Sequence, residues 1–313
     1  TDNENVAYFY DLNAKVSYKF NQNNSVYISS YFGRDVFSIA DSFENIYGNS
    51  TLNLRWNHLF SDKLFSNLSL IYSDYYYGLD LDFIGLKWNS GIKNYNLKYD
   101  FKNYISDGFR LNYGANAIYY DFNPGLIEPL DDESGINREQ LQKKKAFEPA
   151  IYLEAEQDLG KRFTLSYGLR YSLFYRLGDY DRNVYLNDQA VVFNSEMQVY
   201  EKAKPIGTIH YDKNKTMADF SNLEPRAAIA YQLNDNASIK ASYNRLVQYL
   251  QLISNTASPT PLDVWTPSDE FIQPQKMDQV ALGYFRNFKQ NEYSLEVETF
   301  YKKVKNRLDY IDG

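Results

Sequence analysis

No cysteine occurs anywhere in the chain. Disulfides, thiolate metal sites and cysteine nucleophiles are excluded together. Long apolar runs are missing as well, for no uninterrupted stretch of apolar residues exceeds five, as in Val6–Tyr10 and Ala227–Tyr231. A membrane-spanning helix needs about 20 such residues, so none is encoded. Histidine is scarce, with only His58 and His210. Excess positive charge is absent too, since 33 Lys and Arg face 40 Asp and Glu for a net charge of −7. Duplex nucleic acid is bound through clustered cations, so the chain is expected to have no nucleic-acid partner. The opening Thr1-Asp2-Asn3-Glu4 lacks the basic and apolar regions of a signal peptide. Either such a peptide has been removed or the sequence begins partway through a longer protein.

Aromatic residues are abundant, with 31 Tyr and 20 Phe making up most of a 17% aromatic fraction. That composition excludes disorder, because disordered chains are aromatic-poor. The dominant pattern is alternation with period two. In 94–102, Tyr95, Leu97, Tyr99 and Phe101 fall on one face, while Asn94, Asn96, Lys98, Asp100 and Lys102 fall on the other. Successive side chains of an extended strand point to opposite faces, so one face is apolar and the other polar. The same pattern recurs from Phe163 to Arg176, in Tyr8 to Phe20, in Leu223 to Leu233, and in Tyr293 to Tyr301. It predicts twelve strands, near 6–20, 25–38, 49–60, 64–77, 89–102, 109–122, 146–158, 162–177, 222–234, 237–250, 276–288 and 292–305. One loop helix at most is expected, within 136–146.

Short connections at 21–24, 61–63, 106–108, 159–161, 234–236 and 289–291 alternate with longer ones at 39–48, 78–88, 123–145, 178–221 and 251–275. Short turns at one rim and long loops at the other describe an outer-membrane β-barrel. Alternation alone does not distinguish a membrane barrel, whose apolar face meets lipid, from a soluble sandwich, whose apolar face packs inward. Strand length does, because sandwich strands average about 5–6 residues and these run far longer. Aromatics also gather near strand ends, at Tyr75-Tyr76-Tyr77, Tyr119-Tyr120, Phe174-Tyr175, Phe20 and Phe60. Rings with one polar edge favour bilayer interfaces, and the expected fold is therefore an all-β, antiparallel, up-and-down transmembrane barrel.

The segments Asn222-Leu223-Glu224-Pro225-Arg226-Ala227-Ala228-Ile229 and Ser238-Ile239-Lys240-Ala241-Ser242-Tyr243-Asn244-Arg245 resemble the mid-barrel region of TonB-dependent outer-membrane receptors. So do Gln248-Tyr249-Leu250-Gln251, the loop through Pro259, Pro261, Trp265, Thr266 and Pro267, and the later Gln273-Pro274-Gln275, Asp278-Gln279, Leu282-Gly283-Tyr284 and Tyr301-Lys302-Lys303. The likeness is strongest over 220–310, rests on hairpin rhythm alone before that, and has the flavour of Bacteroidetes members. It implies a barrel of about 22 strands filled by an N-terminal plug domain, with a TonB-contacting segment ahead of the plug. No plug is legible before the first strand, and Ile311-Asp312-Gly313 is not a closing strand with a terminal aromatic. The 313 residues are therefore expected to form a partial barrel domain without plug or closing strand, from the middle of a longer receptor. Expected partners are the lipid bilayer and its lipopolysaccharide, the plug and remaining strands of the same protein, and the TonB complex through the absent N-terminal region.

Candidate ligand contacts are Trp265, Tyr180, His210, Arg170, Arg226 and Arg245. Trp265 lies in a proline-bounded loop where a ring can stack on a ligand or pack the loop onto itself. The three arginines are assigned to the polar face, lining an anion path or pairing with carboxylates such as Glu224. His58 reads as an interfacial ring beside Trp56 and Phe60, and a lone His210 makes no haem or zinc site. Asp131-Asp132-Glu133 matches no calcium loop. Lys143-Lys144-Lys145 reads as a contact for lipopolysaccharide phosphates or as a solvated run. No serine–histidine pairing, phosphate loop or zinc-protease helix appears, so neither catalytic residue, metal site nor cofactor is expected. The function expected is outer-membrane active uptake of a scarce solute: siderophore, haem, cobalamin, glycan or peptide. A passive porin and a soluble surface adhesin are the alternatives.

Overall fold

In the computed structural model, the described residues are 5–39, 42–253 and 264–308. The wall begins with β1 (Val6–Asn21), β2 (Asn24–Ile39), β3 (Phe43–Ser61), β4 (Leu64–Leu81), β5 (Leu86–Ser106) and β6 (Phe109–Pro129). A two-residue β7 (Glu139–Gln140) precedes β8 (Lys144–Leu159) and β9 (Phe163–Leu177). The excursion that follows carries β10 (Tyr180–Val184), β11 (Val191–Asn194), β12 (Val199–Lys202) and β13 (Gly207–Tyr211). Then come β14 (Thr216–Asn234), β15 (Ala237–Gln248), the short β16 (Leu250–Ile253) and β17 (Val264–Pro267), and finally β18 (Gln275–Phe288) and β19 (Tyr293–Lys305). Twelve long strands form one antiparallel meander, β1-β2-β3-β4-β5-β6-β8-β9-β14-β15-β18-β19, with β7 appended to β6.

Register carries the alternation from strand to strand. One ladder row runs Tyr18, Val26, Trp56, Leu68, Tyr99, Ala115, Ile151, Tyr171 and Leu223, apolar at every position. The adjacent row, one residue along, runs Ser17, Tyr27, Arg55, Ser69, Lys98, Asn116, Ala150, Ser172 and Asn222. A slip of one residue at any seam would turn one strand's apolar set into the polar row, so the pattern fixes the pairing. The apolar rows stay outward and exposed, as at Leu70, Leu97, Leu153, Leu169 and Leu282. In water such a surface is untenable at this size; against lipid tails it is what a barrel presents.

The edge of the apolar zone on the long-loop side is legible in the ladder. The outward row Tyr72, Tyr95, Tyr119, Phe147 and Tyr175 is wholly aromatic. The next outward row toward the loops is Asp74, Lys93, Asp121 and Lys145, with Lys93 Nζ 3.4 Å from Asp74 Oδ2. Aromatic rings followed directly by charge mark the passage from hydrocarbon to headgroups. At the short-turn rim, His58 lies between Trp56 and Phe60 with ring centroids 5.3 and 4.4 Å away, and its Nδ1 is 2.8 Å from Asn24 Oδ1. The turn glycine Gly160 takes φ +77°, a left-handed conformation that costs glycine little.

Several sequence expectations are corrected. Strands run through most of 39–48 and 78–88, because Tyr47, Tyr77 and Leu79 share the inward face and keep the β3–β4 hairpin paired beyond the apolar zone. No helix forms in 136–146; Glu139 and Gln140 pair with β6 instead. The clustered aromatics are not all interfacial, for adjacent residues of a strand must face opposite ways. Tyr76, Tyr119 and Tyr175 share the outward faces, whereas Tyr75, Tyr77, Tyr120 and Phe174 point into the concave side. Lys143-Lys144-Lys145 is split by the same rule, and Lys144 turns inward to donate to Thr266 Oγ1 at 2.7 Å. Pro259, Pro261 and the terminal Ile311-Asp312-Gly313 lie outside the described residues.

Leu169 sits mid-strand in the outward row between Leu153 and Pro225. Leu169→Lys in the intact protein is expected to lower stability by about 2–4 kcal/mol, measured by refolding into lipid vesicles. Assembly at full yield and stability would reverse the assignment of faces.

Candidate functional site

The wall opens where β14 and β15 part. Their pairing ends at Arg226–Asn244, while β14 stays on β9 as far as Thr216 and β15 stays on β18 to Gln248. Past the split, Glu224 Oε2 accepts from the Val247 amide at 3.4 Å, and the chain turns inward through Tyr249. The Tyr249 ring stacks on Phe174 at 4.8 Å and 3°. Its hydroxyl is 2.7 Å from Ser172 Oγ and accepts from Asn222 Nδ2 at 3.0 Å. Ser172 in turn donates to Glu224 Oε1 at 2.7 Å.

Arg170 extends this buried polar network. Its Nε lies 3.4 Å from Glu224 Oε1, its Nη2 lies 3.6 Å from Glu148 Oε1, and Nη1 donates to Asn116 Oδ1 at 2.9 Å. Tyr120 closes the set by donating to Glu148 Oε2 at 3.2 Å. One guanidinium between two carboxylates is a spacer that spans β6, β8, β9 and β14, and buried charges persist only when paired in this way.

Beyond Tyr249 the hairpin β16–β17 crosses the concave side and rests against β5, β6 and β8. Leu250 and Trp265 pack on a core of Tyr120, Phe122, Ala146, Phe174 and Tyr249. Between hairpin and wall lies a chamber of about 520 Å³, bordered by Tyr47, Tyr75, Tyr77 and Tyr120 on one side and Leu252, Val264 and Trp265 on the other. Its far wall is shaped by a register shift between β5 and β6 at Asn89 and Gly91, where β6 carries the extra residue. A Cβ at Gly91 would meet the Tyr75 carbonyl oxygen at 2.5 Å, so only glycine allows this close approach.

A second cleft of about 630 Å³ lies higher, between the excursion and the segment after β17, and includes Arg176, Tyr180, Arg182, Asp269 and Glu270. Its cations are already engaged. Arg176 Nη1 donates to the Lys145 and Leu177 carbonyls at 3.0 and 2.6 Å and lies over the Tyr180 ring, and Arg182 Nη1 is 2.8 Å from Glu270 Oε1.

The sequence candidates are therefore dispersed. Trp265 borders the chamber, Arg170 lies in the network beneath it, and Tyr180 belongs to the upper cleft. Arg226 faces the lumen well down the wall, on the row of Gly168. His210 is exposed on the β10–β13 hairpin, paired across it with Asp181. Arg245 is a correction: it is not on the polar face. It shares parity with the outward Tyr243, and both side chains bond Asp278 Oδ1, Arg245 Nε at 2.8 Å. Counting the period two residues past Tyr243 gives the same answer. The chamber tyrosines were missed for the opposite reason, since Tyr75 and Tyr77 stand on the parity of Ser69 and Ser73, where an aromatic is the anomaly.

The comparisons with known proteins agree with this architecture. A family model described as TonB dependent receptor-like, beta-barrel matches residues 1–313, and the chain belongs to that family, whose place is the outer membrane. No curated protein sequence matches it. A double mutant of the hemophore receptor HasR of Serratia marcescens, solved with its hemophore HasA and heme, is similar at TM-score 0.65 and 15% identity, over 96% of this chain and 46% of that one. The ferric-catecholate import receptor Fiu of E. coli K12 is similar at TM-score 0.66 and 12% identity, over 97% and 52%. The alcaligin outer-membrane receptor FauA of Bordetella pertussis gives 0.60 and 12%, over 97% and 45%. This chain spans about half the length of these structures.

Two outcomes follow from the geometry. Tyr249→Phe keeps the ring stack but leaves Ser172 and Asn222 without their shared partner, and is expected to cost about 1–3 kcal/mol in thermal unfolding of the intact protein in detergent. On the hairpin, Asp181 hydrogen-bonds His210 Nδ1 at 2.7 Å and raises its pKa, with Asp212 and Asp179 adding to the shift. The folded-state pKa being the higher one, this contribution is complete below the ordinary histidine pKa and is lost as pH rises through the raised value. Proton NMR titration should find the His210 pKa above that of a free imidazole, falling toward it in Asp181→Asn and in high salt.

Proposed function

We propose that this chain forms part of the wall of an active uptake receptor of the outer membrane. The observation that carries the reading is the inward-folded hairpin. A barrel of this family with β16 and β17 folded onto its concave side, pinned through Tyr249, is arranged to hold a solute at the long-loop rim. A plug domain and further strands of the same protein would complete the barrel, and a segment ahead of the plug would meet TonB, which draws on the inner-membrane proton gradient. The outward aromatic row would sit at the bilayer interface, with Lys93 and Lys145 beside lipopolysaccharide phosphates. Trp265 is the leading ligand contact, with Tyr180 at the entrance and Arg170 supporting the floor. No catalytic group or cofactor enters this scheme. The likeness over 220–310 has the flavour of Bacteroidetes members, and a source in that phylum is part of this proposal.

A passive channel is the second reading, and the seat of β17 on β5, β6 and β8 weighs against it, because it encloses a chamber at the wall where a pore would be left open. Expression of the intact protein in its host separates the two. Solute uptake should collapse when TonB is deleted or the proton gradient is discharged. Uptake that continues down a concentration gradient without TonB would establish the channel.

A further inference from the structure

We propose that the chamber under Trp265 receives an uncharged, hydroxyl-bearing ring of the transported solute, the chemistry of a saccharide or an uncharged phenolic, rather than an anionic or metal-ligating group. The proposal deepens the uptake reading and rests on it for the word transported, while the binding chemistry is argued from the chamber alone.

Among the described residues, those bordering the chamber carry no charge. Of the cations nearby, none borders the chamber: Arg170 is paired with Glu148 and Glu224, Lys93 with Asp74 on the outward face, Lys144 donates to Thr266 and Arg176 to two carbonyls, and Lys143 lies in the adjoining cleft. An anion entering here would shed water without meeting a counter-charge, which a partly closed site does not repay. Nor do histidine, methionine or cysteine side chains border it, and among the described residues no three His, Cys, Asp or Glu side chains gather as metal ligands. A bare divalent cation finds none of the imidazole, thiolate or carboxylate ligands it favours among these residues.

What the chamber does offer is ring faces and neutral polar groups. Four tyrosines and Trp265 present aromatic surface, and Ser90, Asn94 and Asn123 interrupt it with hydroxyl and carboxamide groups. Aromatic faces receive the C–H side of a ring while side-chain amides and hydroxyls match its hydroxyl rim. The volume of about 520 Å³ suits one to a few rings and lies within the usual range of small-molecule sites, roughly 300–1,000 Å³.

The test is calorimetric titration of the intact receptor in detergent. The probes are neutral oligosaccharides, uncharged phenolic glycosides, ferric catecholate and haem. At least one uncharged series should bind, with an affinity unchanged over a roughly tenfold range of ionic strength. Trp265→Ala should weaken it about tenfold and Trp265→Phe much less, as loss of one stacking face requires. The saccharide and phenolic arms separate the two sources of that chemistry. Thermal melting of each variant distinguishes a lost contact from an unseated hairpin, and Tyr75→Leu, on the wall opposite Trp265, should weaken the same ligand without touching the hairpin. Binding confined to ferric catecholate or haem, or falling steeply with salt, overturns the proposal, as does an uncharged ligand indifferent to Trp265 and Tyr75. Uncharged binding together with TonB-independent uptake would uphold the chamber's chemistry and overturn the active-uptake reading instead.

Discussion

Backbone pairing in lipid is the constraint on which everything else in this structure depends. Hydrocarbon offers no hydrogen bonds, so each amide and carbonyl of a spanning strand must be met by its neighbour. Long, continuous ladders are the only arrangement that does this, and they propagate side-chain parity without loss. Because Tyr18, Trp56, Leu68, Tyr99, Ile151 and Leu223 stand in one row, their strands are locked to the same depth and the same facing. The polar row beside them then has nowhere to face but the concave side, where the buried network of Arg170, Glu148, Glu224 and Ser172 is assembled.

Parity also decides what an aromatic means. A tyrosine on the outward rows reports on the bilayer, and one residue further along the same strand it reports on the chamber. The pairs Tyr119-Tyr120 and Phe174-Tyr175 each supply one ring to the interface and one to the interior. High aromatic content thus has two separate causes in this chain. The hydroxyl suits both, since a ring edge that hydrogen-bonds is equally useful among headgroups and against Ser172 or Glu148.

Much of the wall was legible in advance because strand parity is local. Twelve strands, their faces and the six short turns follow from neighbours two residues apart and from turn residues. The extensions through 39–48 and 78–88 were less visible, since there the outward face is no longer apolar while Tyr77 and Leu79 are buried on the concave side, so the period changes phase. Arg245 was misassigned for want of counting parity past Tyr243, where its ion pair with Asp278 later places it. Trp265 was legible as a loop aromatic, but its partners were not, because they stand on β3 to β6 and are brought to it only by the hairpin's path.

The sequence by itself determined an outer-membrane wall: alternation read at spacing two sets which residues face lipid, and that is a property of consecutive residues. Only the tertiary structure decided where the site lies. The parting of β14 from β15, the inward turn at Tyr249, the seat of β17 on β5, β6 and β8, and the aromatic lining of the chamber are agreements between residues far apart in the chain. Such agreements are settled by packing and by the pairing of buried polar groups, which carry no local period for a sequence to display.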